Sequence, residues 1–320
     1  METKPLRILS ASRIKTLETC SWIYWANYHL KLPQDQHKGA IKGTICHEIF
    51  EILLKNKHRH HYDLIFEKDS VEASKAVNKL VIKLIKKNKL SLDEKSDIKS
   101  MILVGLKNNF FGQKKDDLSA EVPFEIRNDH PRYHIKGFID KIIKSDKKIT
   151  IVDYKSSKLK FKGDDFIANI QAMTYTLAAK KIWPNLQSVV RFIFLRFPKS
   201  CEQEVSFKDE QIAGFEHYLS HIFEYINKFN SSDAQSNFAK DNDKNKWMCQ
   251  SGSWVCPFKN SFEYYVLLDE LGNIVRSEKD KDLFKSDELN KYKIEKRLYS
   301  GCPRFHNSTN KLISKDEFLD

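Results

Sequence analysis

The chain has 320 residues, 41% hydrophobic and 31% charged, and its 55 Lys plus Arg against 43 Asp plus Glu give a net charge of +12. That length and composition exclude wholesale disorder and allow one large domain, or a core with an elaborated flank. The positive balance favours a polyanionic partner, nucleic acid before an anionic membrane, against the plainer reading of a Lys-rich surface. No stretch reaches the roughly 20 apolar residues that span a bilayer, and Met1–Arg7 lacks a signal peptide's apolar run. The expectation is a soluble cytoplasmic protein with no membrane partner.

Four helices are expected first. Ser10–Leu30 opens with cap-type residues and carries Ile14, Leu17, Ile23 and Trp25 at apolar positions. Lys42–Leu54 is a second, with Ile45, Ile49, Ile52 and Leu53, and Val71–Lys87 and Leu92–Phe111 are the third and fourth. The texture then changes to strands at Glu121–Arg127, Tyr133–Lys144 and Lys148–Lys155, read as an antiparallel meander with a turn at Ser145–Lys147. A helix over Asp164–Lys181 follows, its two aspartates suited to the positive end. Ser188–Phe197 reads as a strand with Cys201–Phe207 as its hairpin partner, and Phe207–Phe229 as an amphipathic helix. Asn230–Lys246 is a polar break, and Trp247–Asp320 is a tail of low periodicity.

Chemistry concentrates in two stretches, Gly137-Phe-Ile-Asp140 and Ile151-Val-Asp153-Tyr-Lys155-Ser-Ser157. Residues two apart on a strand share a face, so Asp153 and Lys155 project together, with Asp140 one hairpin away. Paired carboxylates suit a hard divalent cation, and a lysine beside them suits developing phosphate charge. Asp-x-Lys alone is commonly a surface ion pair. Here Ile149, Ile151 and Val152 lead straight into Asp153, so a strand built for burial ends in charge.

These residues, in order, resemble the PD-(D/E)XK nuclease core, and within it the RecB/AddB-type domain and related CRISPR-associated and phage exonucleases. Gly43-x-x-x-His47-x-x-x-Glu51 is similar to that subfamily's His motif, Gln171-x-x-x-Tyr175 to its Gln-x-x-x-Tyr motif, and Leu9–Cys20 to its opening helix. The likeness covers about residues 9 to 210. It implies an α/β fold, a mixed central sheet flanked by helices, with an N-terminal helical region and an irregular C-terminal tail. Residues 1–230 would form the nuclease core, and 231–320 a Cys-containing extension packing back on it.

The resemblance also implies site roles. His47, Asp140, Asp153 and the Tyr154 carbonyl would hold Mg2+ or Mn2+, and Lys155 would be the catalytic lysine. Gln171 and Tyr175 would contact DNA or steady Lys155, and Glu51 would orient His47 from behind. One departure is Ser156-Ser157, where the family often has Thr-Gly after its lysine. The implied function is a metal-dependent DNA nuclease, an exonuclease of recombination, repair or phage DNA processing, in a bacterial or phage-infected cytoplasm. Single-stranded DNA or duplex ends would be the substrate, and a helicase or recombination protein a partner. The alternative is a catalytically inactive nucleic-acid-binding module of the same fold.

Six cysteines in a reducing compartment argue for metal ligands or buried thiols rather than disulfides. Some members of the resembled subfamily hold a four-iron, four-sulfur (4Fe–4S) cluster with one cysteine from the first helix and three near the C-terminus. The resemblance implies Cys20, Cys249 and Cys256, with Cys302 reached across a long loop because the usual last cysteine is missing. Zinc and unligated thiols are the other readings. Cys46 and Cys201 read as packing residues. Lys57-His-Arg-His-His61 reads as a solvated helix end rather than a metal tract. Lys158-Leu-Lys-Phe-Lys162 reads equally as a DNA-backbone track with a stacking ring or as an edge strand guarded by lysines.

Overall fold

The computed structural model describes residues 6–34, 37–113, 115–250 and 255–305. Among these, the helices are α1 (Ala11–Thr19), α2 (Ser21–Tyr28), α3 (Lys38–Leu54), α4 (Arg59–Lys68), α5 (Lys75–Lys87), α6 (Glu94–Lys107), α7 (Asp164–Ile167), α8 (Ile170–Ile182), α9 (Asp209–Lys228) and α10 (Ser286–Lys291). The strands are β1 (Asp117–Asp129), β2 (Arg132–Lys144), β3 (Lys148–Lys155), β4 (Gln187–Phe194), β5 (Glu202–Val205), β6 (Phe262–Leu268), β7 (Ile274–Glu278) and β8 (Lys293–Tyr299). The chain divides into two compact units, one of Met1–Ala11 with Gln36–Asn227, the other of Ser12–Asp35 with Lys228–Asp320. Residues 12–35, expected with the core, group instead with the C-terminal part.

The first unit is built on a five-stranded mixed sheet in the order β1-β2-β3-β4-β5. All neighbours are antiparallel except β3 and β4, which run parallel because α7 and α8 form the crossover between them. The central strand β3 is buried from Ile149 to Tyr154, with the polar Thr150 and Asp153 buried among its apolar residues. Helix α5 buries Val77, Val81, Leu84 and Ile85 at helical spacing. These pack with Ile45, Ile49, Phe50 and Leu53 of α3, Ile98 and Ile102 of α6, and Val152 and Tyr154 of β3. Truncating one such residue to alanine costs ~2–5 kcal/mol.

Two features of this sheet prepare the site. Strand β2 pairs with β3 only through Lys141–Lys144 against Ile149–Val152, whereas its pairing with β1 continues to Arg132. The two strands therefore fork just at Asp140 and Asp153. Gly137 is required beside the fork, since a Cβ there would lie 2.7 Å from the Phe124 ring.

Local differences from the sequence reading have local causes. The first expected helix is broken at Cys20, which is extended (φ −164°, ψ 117°) between α1 and α2. The helix expected over 164–181 restarts at α8 because the Asn169 side chain caps the Ala172 N–H at 3.0 Å. Helix α3 begins at Lys38, capped by His37. The His-rich tract leads into a further helix, α4, which buries only Ile65 and so has no clear apolar face to read.

In the second unit, Trp22 Nε1 donates to Tyr299 Oη at 2.7 Å and Ser21 Oγ donates to the carbonyls of Ala234 and Asn237. These contacts explain why α1 and α2 belong with the C-terminal segment. From Asp233 to Cys249 the chain makes only short 3-10 turns. Phe262–Tyr299, part of the tail expected to be irregular, instead forms a three-stranded antiparallel sheet in the order β7-β6-β8. Residues 306–320 of that expected tail lie outside the described residues.

Candidate active site

The fork gathers polar groups that the sheet would otherwise pair. Asp140 Oδ2 accepts from the Tyr154 N–H at 3.1 Å, across the gap where the strands part. His47, projecting from α3, reaches the same place. Its Nδ1 lies 3.3 Å from Asp140 Oδ2, and its Nε2 lies 3.0 Å from the Tyr154 carbonyl oxygen. Burial pulls the imidazole pKa down. The hydrogen bond and charge of Asp140, the charge of Asp153 and the Tyr154 carbonyl together outweigh this, and the pKa ends above its ordinary value.

A fourth group was not foreseen. Glu121 sits on β1 between Ala120 and Val122, which pair with Lys141 and Ile139, so it stands opposite Asp140. Its φ of +49° is in the left-handed region, which costs a non-glycine residue about 1 kcal/mol. Ligand atoms of His47, Glu121 and Asp140 all lie within 4.8 Å of one another. Burial, then the charge of Asp140, raises the Glu121 carboxyl pKa.

Beside this group lies a closed hydrogen-bond network. Lys155 Nζ is 2.8 Å from Asp153 Oδ2 and donates to Gln171 Oε1 at 2.6 Å. Gln171 Nε2 donates to Asp153 Oδ1 at 2.9 Å and to Tyr175 Oη at 2.8 Å, and Tyr175 Oη in turn donates to Asp153 Oδ1 at 3.2 Å. Asp153 is 1% exposed. Burial pushes its carboxyl pKa up, the charge of Lys155 opposes this, and the charge of Asp140 adds to it, leaving it raised.

The sequence model of the PD-(D/E)XK nuclease superfamily matches residues 8–261, most of the chain. The chain belongs to the PD-(D/E)XK nuclease superfamily. No curated protein matches it. Among solved structures, one titled "Crystal structure of SSO0001" is similar over 66% of this chain and 85% of that one, at 16% identity and a TM-score of 0.26. No helix among the described residues is long and apolar enough to cross a membrane.

Placed on this PD-(D/E)XK chain, most sequence-derived site residues converge. His47, Asp140, Asp153, Tyr154, Lys155, Gln171 and Tyr175 all meet at the fork. Asp153, expected as a metal ligand, contacts Lys155, Gln171 and Tyr175, and the group of three donors lying close together is His47, Glu121 and Asp140. Glu51 does not orient His47. Its carboxylate accepts from Lys55 at 2.9 Å, one helical turn on, and both ring nitrogens of His47 have other partners.

The Lys158–Lys162 stretch is not an edge strand, and Lys158 and Lys162 are exposed. Phe161 turns onto Phe192 and Phe194 with ring centroids 4.9 and 5.3 Å away. Cys46 and Cys201 are buried, as expected of packing residues. In the second unit, Cys20, Cys249, Cys256 and Cys302 line one cavity with Trp22, Lys259 and Arg304.

Proposed function

We propose that this PD-(D/E)XK protein is a divalent-cation-dependent nuclease that hydrolyses phosphodiester bonds in DNA. The observation that carries this reading is the convergence of His47, Glu121 and Asp140 beside an ordered Lys155. Two carboxylates and an imidazole fit magnesium or manganese, with the imidazole favouring manganese. The Tyr154 carbonyl, beside His47 Nε2, and Asp153 would complete the donor set. Such an ion, when bound, polarises a phosphoryl oxygen and acidifies water.

The chain's own residues supply the rest. Lys155 has three N–H donors; one goes to Gln171, and the ammonium forms an ion pair with Asp153. A remaining N–H is left for a phosphoryl oxygen whose negative charge grows as the leaving oxygen departs. Asp153, fixed by Gln171 and Tyr175, holds that ammonium in place. An inactive module of the same fold has no use for an oriented lysine beside three metal donors, which favours the enzyme. The +12 charge suits a polyanionic substrate.

Digestion of end-labelled linear and circular DNA, single- and double-stranded, with magnesium or manganese tests the proposal and separates exonuclease from endonuclease action. Lys155→Ala is expected to abolish cleavage while DNA binding persists, because its contribution belongs to the transition state. Full activity in Lys155→Ala would refute the assignment.

For the cysteines we propose an iron–sulfur cluster, supported by four thiols lining one cavity. Burial raises the pKa of Cys249, that of Cys256 to about 11 and that of Cys302 to about 12, so these stay protonated until a thiophilic cation displaces the protons. Sulfur donors exclude magnesium there. Anaerobically purified protein is expected to be brown, and Cys20→Ala to lose the colour and destabilise the second unit. Stoichiometric zinc, or a colourless and equally stable protein, would overturn this.

A further inference from the structure

The β1–β2 ribbon continues past the fork with one face buried and the other open. Phe124, Ile126, Ile135 and Ile139 fill the buried face. The open face runs away from the metal-donor group in cross-strand rungs: Glu121 opposite Asp140, then Pro123 with Phe138, then Glu125 with Lys136. Contacts on either side of the middle rung fix these as one face. Glu121 and Asp140 meet in the donor group, and Glu125 Oε1 lies 2.7 Å from His134 Nε2 on the far side.

Phe138 is 62% exposed. Isolated apolar residues on a protein surface are ordinary. What singles out this ring is its position, one rung from the carboxylates and backed across the strand by the exposed Pro123. Two residues of strand place it about 6.6 Å from Asp140 along β2. A nucleotide whose phosphate lies at the donor group has its own or the adjacent base within that reach. Lys136, exposed on the next rung, offers an ammonium to a further phosphate.

We propose that Phe138, supported by Pro123, is the platform on which the base next to the cleaved phosphodiester stacks, and that the nucleic acid is unpaired at this point. Both faces of a base inside a duplex are covered by its neighbours. An exposed ring beside the reacting phosphate therefore selects a base that has left the stack. The inference deepens the nuclease reading by naming the state of its substrate.

The test is fluorescence anisotropy of labelled oligothymidylate and of a blunt hairpin duplex, with the full-length protein and no divalent ion. Phe138→Ala is expected to weaken oligothymidylate binding about tenfold, the scale of one base–ring stack, while leaving hairpin binding unchanged. Phe138→Leu keeps the apolar bulk without the ring and is expected to bind as weakly as Phe138→Ala. Phe138→Trp is expected to keep wild-type affinity, with tryptophan fluorescence quenched by the oligonucleotide beyond any quenching of the wild type. Wild-type affinity in Phe138→Leu, or equal losses for the two substrates, would overturn the platform. Because binding is read without metal, this arm stands apart from cleavage. A protein that binds oligothymidylate through Phe138 but hydrolyses no DNA retires the nuclease and keeps the platform, and the opposite pattern does the reverse.

Discussion

Replacing Gln171 by alanine probes how Lys155 is held. The Gln171 side chain is an adaptor with two different ends, its oxygen accepting from the Lys155 ammonium and its amide nitrogen donating to Asp153 and Tyr175. The orientation is forced, since a flipped amide would set N–H groups against the ammonium and an oxygen against the carboxylate. Two of these bonds involve ionised partners, worth ~1.5–3 kcal/mol each. Asp153 retains Tyr175 and Lys155 retains Asp153, so the loss to the reacting geometry is about one such bond, roughly 2 kcal/mol. Gln171→Ala is thus expected to lower the rate about 10- to 100-fold, with little change in DNA affinity. Gln171→Glu keeps an acceptor for Lys155 but turns a carboxylate toward Asp153, and is expected to fall below Gln171→Ala. Single-turnover cleavage of end-labelled DNA, alongside anisotropy binding, measures both. Wild-type rates in Gln171→Ala, or Gln171→Glu faster than Gln171→Ala, would refute the adaptor role.

Glu121→Gln removes one charge from the donor group, and the divalent-ion concentration for half-maximal cleavage is expected to rise on the order of 10-fold or more, read by metal titration; an unchanged titration would exclude Glu121 from the group. The raised pKa of His47 means that the imidazole keeps its proton to higher pH than a free one, and the protonated ring has no lone pair for a cation. Metal affinity is therefore expected to rise as pH increases through that raised value. In metal-free Asp140→Asn, burial is left less opposed, and the His47 midpoint followed by NMR is expected to move to lower pH. DNA affinity is expected to fall at least roughly tenfold between about 50 and about 200 mM salt, as phosphate contacts release counterions; salt-independent affinity would point to another kind of substrate.

Asp153 and Lys155 were legible from the period of their strand and Asp140 from its place one hairpin away, whereas Gln171 and Tyr175 were implied by the family resemblance. Alternation on β3 puts Asp153 and Lys155 on one side, and a four-residue helical step puts Gln171 over Tyr175. Glu121 was not legible, because its place depends on two non-local facts, the register of β1 on β2 and the end of the β2–β3 pairing, and on a left-handed φ at a residue type that gives no hint of it. Strand β6 escaped for a different reason. Val266, Leu267 and Leu268 are all buried, so the run lacks the alternation that marks a half-exposed strand. The helix break at Cys20 escaped because no proline or glycine marks it.

The same structure explains how two motifs far apart in sequence keep a shared geometry. Gly43 lies one turn before His47 on α3, and a Cβ there would meet Ser156 Oγ at 2.7 Å, so its absence lets the helix rest on the turn after Lys155. Ser156 Oγ donates to the Gly39 carbonyl at 3.2 Å, and Arg196 Nε donates to the Ser156 carbonyl at 2.9 Å. Arg196 also forks onto both oxygens of Asp97, at 2.8 and 2.9 Å, and Asp97 in turn accepts from Lys42 of α3 at 2.6 Å. Burial works to raise the Asp97 carboxyl pKa, but the Arg196 and Lys42 bonds outweigh it and hold it low, so the network stays charged. The ring of contacts runs from helix to turn to arginine to aspartate and back to the helix. Here Ser156, at the place of the Thr that the resembled family often has, is tied down by Arg196 and by its own hydroxyl on the Gly39 carbonyl. A one-residue slip of α3, which would displace His47, would also break Lys42–Asp97 and press a side chain into Ser156. The distance from His47 to the Tyr154 carbonyl is thus set by packing and charge outside the His47, Glu121 and Asp140 group, which on the proposed function would hold the donors in place before a metal arrives.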